Sequence, residues 1–388
     1  MDAVVLKGLS WGHRRATGPL QPLVDRFRQT RPDIEIDWTV RPLSDFEHQG
    51  LASVAELFDL IIYDHPFSGD LLASDGFVPL DQYLPSLGLN DDRRFVGASL
   101  TSYRYGGSVW GAPIDGATQH ALYRADVMGS RRLPETWSDV IEVGRELRSN
   151  GLWLGLAGET PHAGLLIGAL MSNAGKPWST DPDSPFHVDR AALRGAFELT
   201  TELATLCPPE AIGWNSIDLH DQMVARDDIA YAPCVYGYAT YGEADMRRRL
   251  SFAPFPGTHA PHAAGTAIGG TAVGLSRHCK DKPAALAFIA FLLSDVAQRE
   301  IIPVHHGQPA LVTAWDDAET DERFNGFYSA TRSTVESAWI RPRLPGYPAF
   351  QKDMGIVTRQ ALAKEISVDA AIDAIEKLAT KVNRKTGP

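Results

Sequence analysis

The segment FDLIIYDHP, residues 58–66, sets a carboxylate beside an imidazole, Asp64 and His65, at the end of a short apolar run. Such a pair could exchange protons or bind hydroxyl groups. Leu60-Ile61-Ile62-Tyr63 reads as a buried strand of a parallel sheet. His65 precedes Pro66, which steers its backbone away from helix and toward an extended or turn conformation. Both side chains therefore belong at the carboxyl end of a strand, the edge where open α/β sheets bind ligands.

Other strings that hint at chemistry fail on context. Gly8-Leu9-Ser10-Trp11-Gly12 matches a G-x-S-x-G nucleophile elbow, but only seven residues precede it. No earlier strand is available to supply an oxyanion loop. Asn173-Ala174-Gly175-Lys176-Pro177 resembles the end of a phosphate loop, yet Pro177 stands where a Ser or Thr should hold magnesium. It reads instead as a helix ending in a C-terminal glycine. Gly265, Gly269, Gly270 and Gly274 do not spell a dinucleotide fingerprint ahead of a helix. His259, His262 and the pair His305-His306 lack carboxylates at metal-ligand spacing. Cys207, Cys234 and Cys279 show neither a metal pattern nor a disulfide framework and read as buried free thiols. No cofactor or metal is expected.

What remains is a stock of aromatic residues near the ends of predicted elements: Trp11, Trp110, Trp214, Tyr236, Tyr238, Tyr241, Trp339 and Tyr347. Each alone reads as packing. Together with nearby carboxylate, amide and basic groups they suit a sugar, whose C–H face stacks on rings and whose hydroxyls seek charged partners.

The elements that must position these residues follow from periodicity. Val4–Leu9 predicts a first strand and Ser10–His13 a polar loop, with a helix over 20–30. Ile34, Ile36, Trp38 and Val40 alternate with polar residues as a second strand. A polar helix over 44–57 leads into 60–63, making β-α-β-α-β. Gly76–Pro85 is turn-rich, and 105–110 predicts a hairpin. Beyond Pro113 a second α/β run begins, with a helix capped by Thr136 and reaching Ser149. Strands are predicted at 153–156, 229–232, 250–255 and within 263–275, and helices over 163–173, 190–206 and 283–293. Residues 317–385 read as almost wholly helical.

At 388 residues the chain implies two domains, and its 44% hydrophobic and 22% charged content is that of a soluble globular protein. A net charge of −11 opposes a nucleic-acid partner. Arg247-Arg248-Arg249, the one dense basic run, reads as a solvated loop. No stretch is long and apolar enough for a membrane span. The first residues run straight into a strand pattern without a secretory signal. That leaves either a cytoplasmic chain or one whose leader is absent from this sequence.

The whole layout resembles the family 1 extracellular solute-binding proteins, the carbohydrate receptors of ABC importers. FDLIIYDHP is similar to the family's third strand, and GFVPLDQYLP to its following turn. GGSVWGAPIDGATQHALYRADVM resembles the first crossing between lobes, PETWSDVIEVGREL a capped helix start, and IGGTAVGLSRHCKDKPAALAFIAFLLSDVAQREI the return crossing. Trp110 stands where the family usually has tyrosine, and Tyr123-Arg124 replaces a frequent Tyr-Asn.

The resemblance implies an α/β, two-lobed periplasmic-binding-protein-like fold of type II. Each lobe is a sheet flanked by helices, the hinge has crossing strands, and the C-terminus is helical. The first lobe would take residues 1–114 and 265–312, the second 115–264 and 313–388. A sugar or sugar derivative would bind between them by hinge closure. The implied contacts are Trp11, His13, Asp64 and His65 in the first lobe, and Asp115 and Gln119 at the first crossing. The second lobe would add Glu159, Trp214, Tyr236 and Tyr238, Gly270 would offer a backbone group at the return crossing, and Trp339 and Arg341 would reach in from the tail. The implied partners are a small carbohydrate and the importer's transmembrane subunits, with the chain a periplasmic monomer and no enzyme. Two alternatives stay open: a glycoside-active enzyme using Asp64 and Asp115 as paired carboxylates, and a cytoplasmic sugar sensor of the same fold.

Overall fold

The computed structural model describes residues 3–42, 51–179, 181, 183–185, 187–258 and 265–386. Among them the strands are, in chain order, β1 (Val4–Trp11), β2 (Ile34–Arg41), β3 (Leu60–Tyr63), β4 (Arg104–Tyr105), β5 (Ser108–Val109), β6 (Ala112–Tyr123), β7 (Trp153–Leu154), β8 (Ile229–Tyr236), β9 (Ser251–Ala253) and β10 (Ile268–Leu275). The chain divides into two compact units. Unit 1 holds Met1–Ala117, Gly269–Thr320 and Arg343–Pro348, and unit 2 holds Thr118–Ile268, Asp321–Pro342 and Ala349–Pro388. β6 begins in unit 1 and ends in unit 2, and β10 begins in unit 2 and ends in unit 1.

In unit 1, β1 pairs in parallel with β2 along its whole length and with β3 at Gly8↔Leu60 and Leu9↔Ile61. β10 runs antiparallel to β3, with Ala272 opposite Tyr63. The unbroken apolar run of β3 has a direct cause. Leu60 enters the core shared with Leu6, Phe27, Ile34 and Phe288, while Ile61 and Tyr63 enter the core on the other face with Leu9, Phe77 and Trp110. A strand buried on both faces cannot alternate with polar residues. The helix Leu20–Arg28 seals one face, where the Phe27 ring meets Phe288 edge-on at 5.1 Å.

In unit 2, the second half of β6 pairs antiparallel with β8, from Gln119↔Tyr236 to Tyr123↔Tyr231, and with β9. β7 lies parallel to β8. The helix Trp137–Ser149 opens as its sequence predicts: Asp139 N–H donates to Thr136 Oγ1 at 3.1 Å, and Thr136 N–H returns a bond to Asp139 Oδ2 at 2.9 Å. The helix His162–Asn173 ends at Gly175, whose φ of +73° marks the predicted glycine stop. The C-terminal part is helical, with Phe327–Glu336, Tyr347–Leu362 and Val368–Thr386, and Arg190 ties the last of these down through Asp373 and Glu376.

The mixed α/β architecture with a helical C-terminus is as expected, and the departures are local. β1 runs on to Trp11, two residues into the predicted loop. Residues 313–320 and 343–348, expected with the second lobe, pack in unit 1. For the latter segment the reason is polar: Arg343 donates to the carbonyls of Thr101 and Ser102 at 2.7 and 3.1 Å, and Gly346 N–H donates to Asp70 Oδ1 at 2.8 Å. Within the predicted basic loop, Arg248 instead caps the carbonyls of Val224 and Ala225, both at 2.9 Å. The predicted helix over 44–57 lies outside the described residues up to position 50, and Leu51–Ala55 is helical. His259 and His262 also lie outside them. Among the described residues, no helix is long and apolar enough to cross a membrane.

Candidate ligand-binding site

Unit 1 gathers Trp11, His13, Asp64, His65, Asp115 and Gly270 around the carboxyl ends of β1 and β3 and the crossing strands. Trp11 closes β1, only 4% exposed, and its ring stacks on His13 at 6.1 Å with 13° between planes. His13 caps the short helix Arg14–Thr17, its Nδ1 accepting from Arg15 N–H at 3.1 Å. An accepting nitrogen carries no proton. Burial, and then the neighbouring Arg15 and Arg14, push the His13 pKa down to about 3. The ring is therefore neutral at physiological pH.

Asp115 is committed to a partner that sequence reasoning missed. Arg15 Nε donates to its Oδ2 at 2.7 Å and Nη2 to its Oδ1, and the two side chains are 5% and 11% exposed. The pair borders a cavity of about 40 Å³ lined by Trp11, Ile62, Thr271 and Gln308, room for water but too small for a pyranose ring. Asp64 is a cap: its Oδ1 accepts from His65 N–H at 2.8 Å and lies 3.1 Å from His65 Nδ1. The His65 ring itself is fully buried, edge-on to Tyr103 at 6.1 Å. It packs inside unit 1 instead of standing on its surface.

Gly270 is fixed by close approach. Its φ is +93°, and a Cβ there would lie 2.1 Å from the Asp115 carbonyl oxygen. Its own carbonyl accepts from the Tyr103 hydroxyl at 3.2 Å.

In unit 2 the remaining residues apart from Tyr238 fall into two groups. Because β7 and β8 are parallel, their carboxyl ends share one edge. There the Glu159 backbone N–H donates to the Trp214 carbonyl at 3.0 Å, while the Trp214 ring lies 5.8 Å from the guanidinium of Arg226, a residue just ahead of the amino end of β8. The half-buried Glu159 carboxyl is pushed above the usual glutamate range by burial and by Asp218, with Arg359 opposing.

The second group surrounds the Ile268 carbonyl, which faces the Tyr236 hydroxyl and Arg341 Nη2, each at 3.5 Å. The Arg341 guanidinium sits 5.8 Å from the Tyr236 ring and donates to Gln351 Oε1 at 3.0 Å. Trp339 bridges alongside through Thr266 and Ile268 backbone bonds, and its buried indole N–H meets no acceptor among the described residues. Gln119 is structural, its Oε1 accepting from Ala267 N–H at 3.2 Å.

A sequence profile of the bacterial extracellular solute-binding proteins matches residues 12–299. The chain belongs to that family. Similar solved structures include maltose-bound MalE3 of T. maritima, at 18% identity and a TM-score of 0.82, covering 98% of this chain and 100% of that one. A solute-binding protein of Agrobacterium radiobacter in complex with ribitol aligns at 17% identity and a TM-score of 0.83, over 99% of each chain. The GacH receptor of Streptomyces glaucescens, solved unliganded and with acarbose, aligns at 16% and 0.82, over 100% of each chain. At such identities these likenesses establish the fold.

Tyr238, grouped by sequence with Tyr236, separates from it in this solute-binding protein. It is 6% exposed and turns toward His220, with ring centroids 5.5 Å apart. Arg15, His162, Ser216 and His220 were not singled out from sequence. A lone arginine after a strand and a histidine at a helix start carry no local signal when their partners lie 100 and 54 positions away, and a helical histidine bonded one turn back reads as any other helix residue.

Proposed function

We propose that this chain is the substrate-binding protein of an ABC importer, that it takes a sugar, polyol or sugar acid between unit 1 and unit 2, and that it closes on the ligand by hinge motion. It would act outside the cytoplasm, in the periplasm, as a monomer that presents its cargo to the importer's transmembrane subunits. The observation that carries this reading is the unit 2 cluster of Tyr236, Trp339 and Arg341 around the Ile268 carbonyl, with Glu159 and Trp214 joined by a backbone bond in the same unit. The rings offer apolar faces for C–H stacking, the carboxyl and guanidinium offer charged hydrogen-bond partners, and the Trp339 indole N–H is a desolvated donor. From unit 1 the Trp11–His13 stack and Asp64 would meet the ligand's other face. Family membership, and the maltose, ribitol and acarbose found with similar folds, support a carbohydrate-like ligand.

A binding role also fits the state of the two candidate catalytic carboxylates. Asp115 is neutralised by Arg15 and Asp64 caps a turn, so neither is poised as one of a paired acid and base. The test is calorimetry and thermal shift with maltose, ribitol, acarbose and a set of sugar acids, alongside turnover of an aryl glycoside. A stabilising ligand without turnover is expected; a ligand at a hundred times its Kd contributes about 2.7 kcal/mol. No shift from any of them, or turnover abolished by Asp64→Asn, would overturn the reading.

A further inference from the structure

Unit 2 also contains a buried polar chain that no stacking or hydroxyl contact with a ligand accounts for. His162 Nδ1 lies 3.0 Å from Ser216 Oγ, and His220 Nδ1 lies 2.6 Å from the Ser216 carbonyl. A carbonyl only accepts, so His220 carries its proton on Nδ1. The His220 ring is wedged between Tyr238, at 5.5 Å and 75°, and Tyr241, at 4.7 Å and 38°, and the Tyr241 hydroxyl donates to Asp221 Oδ1 at 2.7 Å. None of His162, Ser216, His220, Tyr238 or Tyr241 exceeds 7% exposure.

The placement of this chain matters more than its composition. His162 opens the helix that follows Glu159 and its loop. Ser216 comes two residues after Trp214, at the start of the helix Ser216–Ala225. Tyr238 and Tyr241 lie in the turn directly after Tyr236. The segments that carry Glu159, Trp214 and Tyr236 are thus tied to one another through members of this buried set. Leu and Phe would fill the same space without the cost of desolvating imidazoles and a hydroxyl. A directional polar set instead fixes the relative register of the elements it joins.

We infer that His162, Ser216 and His220 are positioning residues for ligand binding, holding the Glu159, Trp214 and Tyr236 segments in mutual register. This inference rests on the proposed ligand wall. Its test is calorimetric Kd for maltose, ribitol and acarbose on the full chain, with thermal melting and tryptophan emission in parallel. Ser216→Ala, which removes the His162 bond, is expected to raise Kd about tenfold, the scale of one hydrogen bond. Ser216→Thr keeps the hydroxyl and is expected to restore most of the affinity. His220→Leu is expected to weaken binding and His220→Asn, which retains a donor toward the Ser216 carbonyl, to recover it. The ligand-induced change in tryptophan emission should shrink with the affinity.

If wild type binds and both Ser216→Ala and His220→Leu lower the melting temperature while Kd stays unchanged, the set is plain core and the inference is overturned. If Ser216→Ala fails to fold, the His220 pair and His162→Phe decide by the same criterion. Absence of binding by wild type to all three probes overturns the carbohydrate reading, and the positioning role falls with it.

Discussion

Arg15 and Asp115 have each given up water for the other, and a charge stranded in such a place is costly. Asp115→Asn leaves the guanidinium buried without its counter-charge and is expected to lower unfolding free energy by about 3 kcal/mol, read from denaturant midpoints. Arg15→Met added to it should recover much of the loss. His13 makes a pH-dependent contribution of known sign. Its folded pKa of about 3 lies below the ordinary 6.5, so between those values the unfolded chain holds a proton that the folded chain refuses. The stability it contributes is full above pH 6.5 and is lost as pH falls toward 3. His13→Asn keeps a capping side chain and should flatten that part of the stability curve, measured by melting at successive pH values. At this scale the sequence was only partly legible. Thr136 at a helix start could be read because its partner is a neighbour in the chain, whereas Asp64, expected as a ligand contact, accepts from the adjacent His65 N–H. The commitment of Asp115 to Arg15 could not be read, because the bond spans 100 positions.

Elements were easier to foresee than their partners. The alternation over 34–40, the two-faced burial of β3 and the capping box at Thr136 are local codes, and the strands and helix stand where those codes put them. β8 extends to Tyr236, well past the predicted 229–232, because its pairing with β6 resumes at Val235 and Tyr236 after a register shift. No periodicity in 229–236 announces that pairing. Glycine at position 270 shows the same dependence on distant backbone. A strand interior normally disfavours glycine, yet here the crossing strand needs both the positive φ and the missing Cβ. Gly270→Ala is expected to cost about 2 kcal/mol in thermal or denaturant unfolding, because the methyl would meet the Asp115 carbonyl. A neutral result would mean that β6 yields at this point.

For the whole molecule, the proposed closure makes a claim about size. Saturating ligand should reduce the radius of gyration seen by solution scattering, and a ligand that binds without compaction would refute hinge closure while leaving binding intact. The order in which the chain visits its two units has a consequence of a different kind. Unit 1 is completed by Arg343–Pro348 and unit 2 by Ala349–Pro388. A chain ending at residue 320 has every described strand of both units, but it lacks the tail that supplies the buried Phe327, Tyr328, Tyr347 and Ile375. No single cut in the chain releases either unit intact. Truncation anywhere before Arg343 therefore leaves both units short of a segment at once.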